Sequence, residues 1–151
     1  MGPAEEALRI AGRRGVSIVK APGEHLPFLN GSFGTVFLLF TLCFVEDPGQ
    51  VFSEAGRVLK KGGGLIVGVI NRESPWGQLY LKKKAGGHPI YRHATFYSVN
   101  EVVKMMEKTG FAIEAFASTL CQLPTQTVNR GPVYEELMEK AGFVGILGKL
   151  P

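Results

Sequence analysis

Cysteine and tryptophan are scarce in this chain, with two of the first and one of the second in 151 residues. So few thiols exclude a disulfide framework. Cys43 and Cys121 each stand among apolar residues and are expected to be buried free thiols in a reducing compartment. Long apolar runs are missing as well: the longest, residues 36–45, is far short of the roughly 20 residues a helix needs to cross a bilayer. The start of the chain shows no basic segment followed by an apolar one, so no secretory leader is read there. Charge of one sign does not dominate. Seventeen Lys and Arg face 13 Asp and Glu, a net charge of +4, and the basic residues are dispersed apart from Lys82, Lys83 and Lys84. That pattern predicts no nucleic-acid surface and no membrane surface. His88 and His93, five apart with no cysteine nearby, make a poor metal pair, so no metal is expected. Repeats and low-complexity tracts are absent. The expectation is a soluble cytoplasmic protein with one domain over residues 1–151, of ordinary apolar content at 45%.

What is present alternates between helical and strand patterns. Pro3, Glu5 and Glu6 suit the start of a helix, Arg13 and Arg14 suit its end, and Gly15 stops it. A short strand is predicted at residues 16–20 and a loop at 21–32. Residues 35–41 are almost continuously apolar, the pattern of a strand buried on both faces inside a parallel sheet. Asp47 caps the next helix, Pro48 takes its first position, and Val51, Phe52, Ala55, Val58 and Leu59 give it one apolar face. Residues 65–70 read as a second buried strand, followed by a helix over 76–84. Ser98 and Glu101 form a capping box for a helix that Gly110 ends. Residues 111–117, 119–123 and 143–147 read as strands, and Pro132 begins a last helix over 133–141. The order predicts an α/β layered fold with mostly parallel strands and right-handed crossovers. In such a sheet, ligands bind beyond the carboxyl ends of the strands, which selects the loops at 21–28, 41–47 and 71–76.

The glycine cluster Gly62-Gly63-Gly64 follows a helix and opens a strand. A phosphate cradle has the opposite order, so these glycines predict a tight turn. Neighbouring titratable pairs, Glu24–His25 and Glu46–Asp47, usually point apart along a chain and predict no acid–base dyad.

Residues 57–65, Arg-Val-Leu-Lys-Lys-Gly-Gly-Gly-Leu, resemble the Arg-Val-Leu-Lys-Pro-Gly-Gly-x-Leu turn of class I S-adenosylmethionine (SAM) dependent methyltransferases. Gly23-Glu24-His25-Leu26-Pro27-Phe28 is similar to the Ala-Glu-x-Leu-Pro-Phe signature of the ubiquinone and menaquinone methylase (type 11) group. Ser32-Phe33-Gly34 stands where that group reads Ser-Phe-Asp. Thr41-Leu42-Cys43-Phe44 matches the segment bordering the methionine part of SAM, with Phe44 where many relatives carry histidine. The resemblance implies a Rossmann-like sheet and SAM as cofactor. Gly23, Glu24, His25, Leu26, Thr41, Leu42 and Phe44 would then border SAM. A lid over residues 71–97 would place Trp76, Tyr80, His93 and Tyr97 against a small-molecule methyl acceptor. No residue is singled out as a catalytic base, because methyl transfer rests on proximity and in-line geometry.

The resemblance also implies pieces this sequence does not show. The first two strands, the glycine-rich loop and the acid that binds the SAM ribose have no counterpart, and Gly2 occupies the position of that acid. The expectation is an N-terminally incomplete methyltransferase domain, inactive if this chain acts alone. An exposed sheet edge would then be covered by a homodimer mate or a partner chain. The alternative is a non-catalytic interaction subunit built on the same fold.

Overall fold

The computed structural model describes residues 3–125 and 131–151, so the reading of Gly2 lies outside the described residues. Helix α1 runs Pro3–Arg13 and strand β1 Phe33–Leu39. Helix α2 (Pro48–Val58), strand β2 (Leu59–Ile70), helix α3 (Pro75–Ala85) and helix α4 (Val99–Lys108) follow, then strands β3 (Ala112–Thr119) and β4 (Phe143–Lys149). The four strands form one sheet in the order β1-β2-β4-β3.

Local chemistry sets the helix ends as the sequence implies. The Asp47 side chain accepts from the Gln50 amide and Pro48 opens α2. Ser74 Oγ accepts from the Gly77 amide at the start of α3. The capping box of α4 is complete: Glu101 N–H donates to Ser98 Oγ at 3.2 Å, and Ser98 N–H donates to Glu101 Oε2 at 2.7 Å. These contacts satisfy amide groups that a helix start leaves without partners.

The core lies on one face of the sheet. Val51, Phe52, Ala55 and Val58 of α2 and Val99, Val102 and Met106 of α4 are buried with Leu65, Val67 and Val69 of β2 and Val144 and Ile146 of β4. Alternation along a strand sends every second residue to the other face. There Phe37 and Leu39 of β1 stand 60% and 49% exposed.

Several expectations are corrected. The layered α/β fold is present, but only β1 and β2 pair parallel; β4 runs antiparallel to both β2 and β3, so the sheet is mixed. Strand β1 is not buried on both faces. It is an edge strand, with Val36 and Leu38 half-buried toward the core and the alternate residues bare. Residues 16–20 join no strand of the sheet; the Val16 amide donates to the Ala11 carbonyl at 3.2 Å and Lys20 Nζ makes an exposed ion pair with Glu5 of α1 at 2.9 Å. Residues 119–123 do not continue as a strand, because Leu120 turns into the left-handed region at φ 57°. Residues 132–141 are not helical. The Ser118 and Tyr134 backbones exchange two hydrogen bonds, and Ser118 Oγ donates to the Glu136 carbonyl while accepting from the Met138 amide. These tertiary bonds hold the segment against β3 as a bridge at Tyr134 followed by a bend and a turn, and override its helical pattern. The glycine turn lies inside β2: Phe33 faces Leu59 and Thr35 faces Gly64, so residues 60–63 loop out, with Gly62 at φ 72°. Of the two cysteines, which form no disulfide, Cys43 is half-buried and Cys121 exposed.

Candidate active site

Two of the three loops selected by the sheet rule meet beyond β1. Glu24 makes the junction. Its Oε1 accepts from the Glu46 amide at 3.1 Å and from the Asp47 amide at 3.4 Å. Its own amide and those of Asp47 and Glu46 hold its carboxyl below the usual range. The Gln50 side chain adds a bond to the Glu24 carbonyl at 3.4 Å.

A second clasp fixes the loop from below. Glu54 Oε2 accepts from the Leu26 amide at 2.8 Å. Arg57 donates to the Leu26 and Phe28 carbonyls and to Asn30 Oδ1, at 2.9, 2.8 and 2.8 Å, while paired with Glu54. Arg57 first, then the Leu26 amide, lower the Glu54 carboxyl to about 2. One turn of α2 therefore carries both halves of a clamp on residues 26–30, because positions three apart share a helix face.

Between these loops lies an open cleft of about 570 Å³ lined by residues 22–25 and 44–47. Ligand clefts commonly span roughly 300–1,000 Å³. Its lining carries three carboxylates, Glu24, Glu46 and Asp47, with His25 as the sole other titratable side chain. Such a wall suits hydroxyl, amino or cationic groups and repels an anion. These acceptor oxygens fit the hydroxyl and amino groups of a nucleoside and the positive charge of a sulfonium; the lining supplies no Lys or Arg for an amino-acid carboxylate.

Beyond this cleft, three hollows share Phe40 and Ile70. The first, about 360 Å³, is lined by Trp76, Tyr80, Leu120 and Phe143 among others. The second, about 320 Å³, adds Phe44, Tyr91 and Phe96. The third is a slot of about 20 Å³ beside Leu42 and Tyr97. The Thr95 amide donates to the Cys43 carbonyl at 2.8 Å, and Lys84 Nζ to the Ala94 carbonyl at 2.6 Å. Tyr80 and Tyr91 meet edge to face at 4.8 Å. Burial, then Tyr91, pushes the Tyr80 phenol upward.

The structure brings Gly23, Glu24, His25 and Phe44 into the cleft. Leu26 stands beside it, its backbone held by Glu54 and Arg57. Thr41 Oγ1 donates back to the Leu39 carbonyl at 3.2 Å. The Leu42 side chain is buried in the core, which leaves only its backbone to face a ligand. Trp76 and Tyr80 line the larger hollow, whereas Tyr97 faces the narrow slot and His93 is exposed and lines none of these hollows. Sequence reasoning missed Phe40, Phe143, Glu54 and Arg57. An acid and a base three apart on a helix signals a pair, but not that it grips a loop. Among the described residues no cluster of three or more His, Cys, Asp and Glu side chains is placed to hold a metal, and no helix is long and apolar enough to cross a membrane.

A family profile described as "Methyltransferase domain" matches residues 2–67. A solved SAM-dependent methyltransferase of Thermotoga maritima, a possible histamine N-methyltransferase, superposes with a TM-score of 0.90 at 39% identity, covering 99% of this chain and 71% of its own. The chain therefore belongs to the class I SAM-dependent methyltransferase family. An uncharacterised protein of Mycobacterium tuberculosis is 40% identical over 97% of this chain and 52% of its own length. The ubiquinone/menaquinone biosynthesis C-methyltransferase of Haemophilus ducreyi is 30% identical over 87% of this chain and 45% of its own. The chain thus spans about half the length of these curated relatives.

Proposed function

We propose that this domain takes part in SAM-dependent methylation of a small-molecule acceptor. The cleft lined by residues 22–25 and 44–47 holds the nucleoside and sulfonium end of SAM, and the aromatic hollows seat the acceptor. The observation that carries this reading is the Glu24 carboxylate, which binds the 46–47 amides and so joins two loops into one cleft beyond the carboxyl end of β1. SAM, when bound, supplies the methyl group on a cationic sulfur. The contribution of this chain is placement. Glu24 holds the two walls at a set spacing, Glu54 and Arg57 fix the loop that forms one wall, and the aromatic side excludes water from the transfer path.

Calorimetry with S-adenosylhomocysteine tests it. Binding is expected, and Glu24→Ala should weaken it by about tenfold, the worth of one or two lost hydrogen bonds. Absence of binding at ligand concentrations of about 1 mM, or unchanged affinity in Glu24→Ala, refutes the reading.

The bare face of β1 supports a second reading, in which a partner or a second copy covers the sheet edge and the domain serves in assembly. Phe37 and the apolar residues Val16 and Val19, 58% and 51% exposed, supply the surface. Size-exclusion chromatography with light scattering decides: a monomer that binds S-adenosylhomocysteine tightly ends this alternative.

A further inference from the structure

The net charge of +4 is concentrated in one segment. Residues 74–100 hold Lys82, Lys83, Lys84 and Arg92 and no Asp or Glu, so the whole of that charge resides there. The fold gathers these residues. The His88 amide donates to the Lys83 carbonyl at 3.1 Å and the Arg92 amide to the His88 carbonyl at 3.0 Å, which folds the short turn Tyr91–His93 back on the end of α3. Lys84 is engaged with the Ala94 carbonyl, and Lys83 Nζ lies 5.0 Å from the centre of the Tyr80 ring. Lys82, Lys83 and Arg92 are exposed, and none makes an ion pair among the described residues. Ile90, 52% exposed, lies between them in the chain.

A surface of opposite sign lies on the other flank of the hollows. Thr119 Oγ1 donates to the Pro132 carbonyl at 3.3 Å and the Gly142 amide to the Leu120 carbonyl at 3.1 Å, so both ends of residues 132–141 are tied to groups that line the larger hollow. Glu135, Glu136 and Glu139 are exposed there against a single base, Lys140, and these acids too make no ion pair among the described residues. Val133, 66% exposed, and Leu137 add apolar surface. The two flanks border one opening. The larger hollow runs from Trp76 and Tyr80 to Leu120 and Phe143, and the second continues from Tyr80 to Ile90 and Tyr91.

A basic and an acidic flank on either side of one opening complement themselves. A second copy turned about a twofold axis at the opening sets its acidic flank on the basic flank of the first, and the reverse, so each attraction occurs twice. A wholly acidic partner would meet Lys82 and Arg92 but repel Glu135 and Glu136. A partner must carry both signs at this spacing, and the chain itself does. We propose that this face is the interface of a homodimer, in which residues 133–139 of each copy lie on the 82–92 surface of the other and close the mouth of the aromatic hollows. The dimer does not depend on the methyl-transfer reading, and it uses residues other than those of the β1 edge.

Sedimentation equilibrium on the full chain tests it. A dimer is expected at about 100 μM protein in about 0.1 M salt. Between about 0.1 and 1 M salt the Debye length falls from about 10 to about 3 Å, and the dissociation constant should rise about tenfold or more. Lys82→Glu with Arg92→Glu, and separately Glu135→Lys with Glu136→Lys, should each give a monomer, because like charges then meet at both contacts. Mixed in equal amounts, the two variants should recover a dimer, which misfolded chains could not do. Phe37→Lys, on the β1 edge, should leave the wild-type dimer intact. Trp76 is the single tryptophan and lines the larger hollow, so acrylamide should quench it less in the dimer than in the monomer. A wild-type monomer at about 100 μM, a dimer that survives both reversals, or a mixture that stays monomeric overturns the proposal. Equal quenching in the two states overturns it as well, and a dimer lost on Phe37→Lys alone gives the interface to the β1 edge instead.

Discussion

Replacing Gly77 with alanine tests how α3 is seated, and with it the placement of Trp76 and Tyr80. A Cβ built at Gly77 would lie 2.1 Å from the Asn71 carbonyl oxygen and 2.6 Å from the Arg72 Cα and carbonyl oxygen. All three are backbone atoms, so no side-chain rotation can relieve the overlap. The Asn71 oxygen also accepts from the Ser74 amide at 3.0 Å and from Ser74 Oγ at 2.7 Å, and moving it breaks both. Overpacking costs about 1–3 kcal/mol and each lost hydrogen bond about 1, so Gly77→Ala should destabilise by about 3–5 kcal/mol. For a chain of this size that lowers the melting temperature by about 6–20 °C in a circular-dichroism melt. Gly56→Ala is the control. Gly56 is also helical, but its added Cβ would meet Phe111 and Leu150 side chains at 3.7 Å, ordinary contact. That variant should melt at or slightly above the wild type, by about 1–4 °C, since alanine is the better helix former. If Gly77→Ala melts within about 2 °C of the wild type, α3 does not rest on the 71–72 backbone and the geometry assigned to the aromatic hollow is wrong.

Glu54 predicts an acid limb in the stability profile. Its folded carboxyl titrates at about 2 against an ordinary 4.5, so its contribution is complete above about 4.5 and is lost as pH falls toward about 2. Glu54→Gln should flatten that limb of the melting curve, and an unchanged acid slope would contradict the clamp on residues 26–30. Ser98→Ala removes one half of the α4 capping box and should cost about 1 kcal/mol by urea unfolding, with no change in the slope against denaturant. Ser118→Ala leaves the part-buried Met138 amide and Glu136 carbonyl without their side-chain partner. It should speed amide exchange at Met138 while leaving β2 protected, and uniform exchange across both would refute a local tether.

Much of the fold was legible because local rules and tertiary structure agreed. Asp47-Pro48 and the Ser98–Glu101 pair are short-range signals, complete within four residues, and each starts a helix where it should. The apolar stripe of α2 is likewise a property of spacing alone. Residues 132–141 show the other case: their pattern suits a helix, but Ser118, distant in sequence, ties them to β3 through a single bridge and two side-chain bonds. The burial of β1 was misjudged for a related reason. Apolar content shows what a strand could bury, whereas neighbours decide what it does bury, and β1 has one neighbour.

The site divides in the same way. Sequence alone determined that the segment after residue 40 would lie at a strand end, because helix–strand alternation fixes which ends of a sheet carry loops; it placed the segment around Glu24 after a strand at 16–20 that the sheet does not contain. It could not determine that Glu24 spends its carboxylate on the 46–47 amides. Nor could it show that Leu42 turns inward while Phe40 turns outward through a left-handed backbone. Side-chain direction at a strand end depends on which carbonyl the next amide finds, here that of Gly68 on the neighbouring strand. That is a contact across the sheet, and only the assembled sheet supplies it.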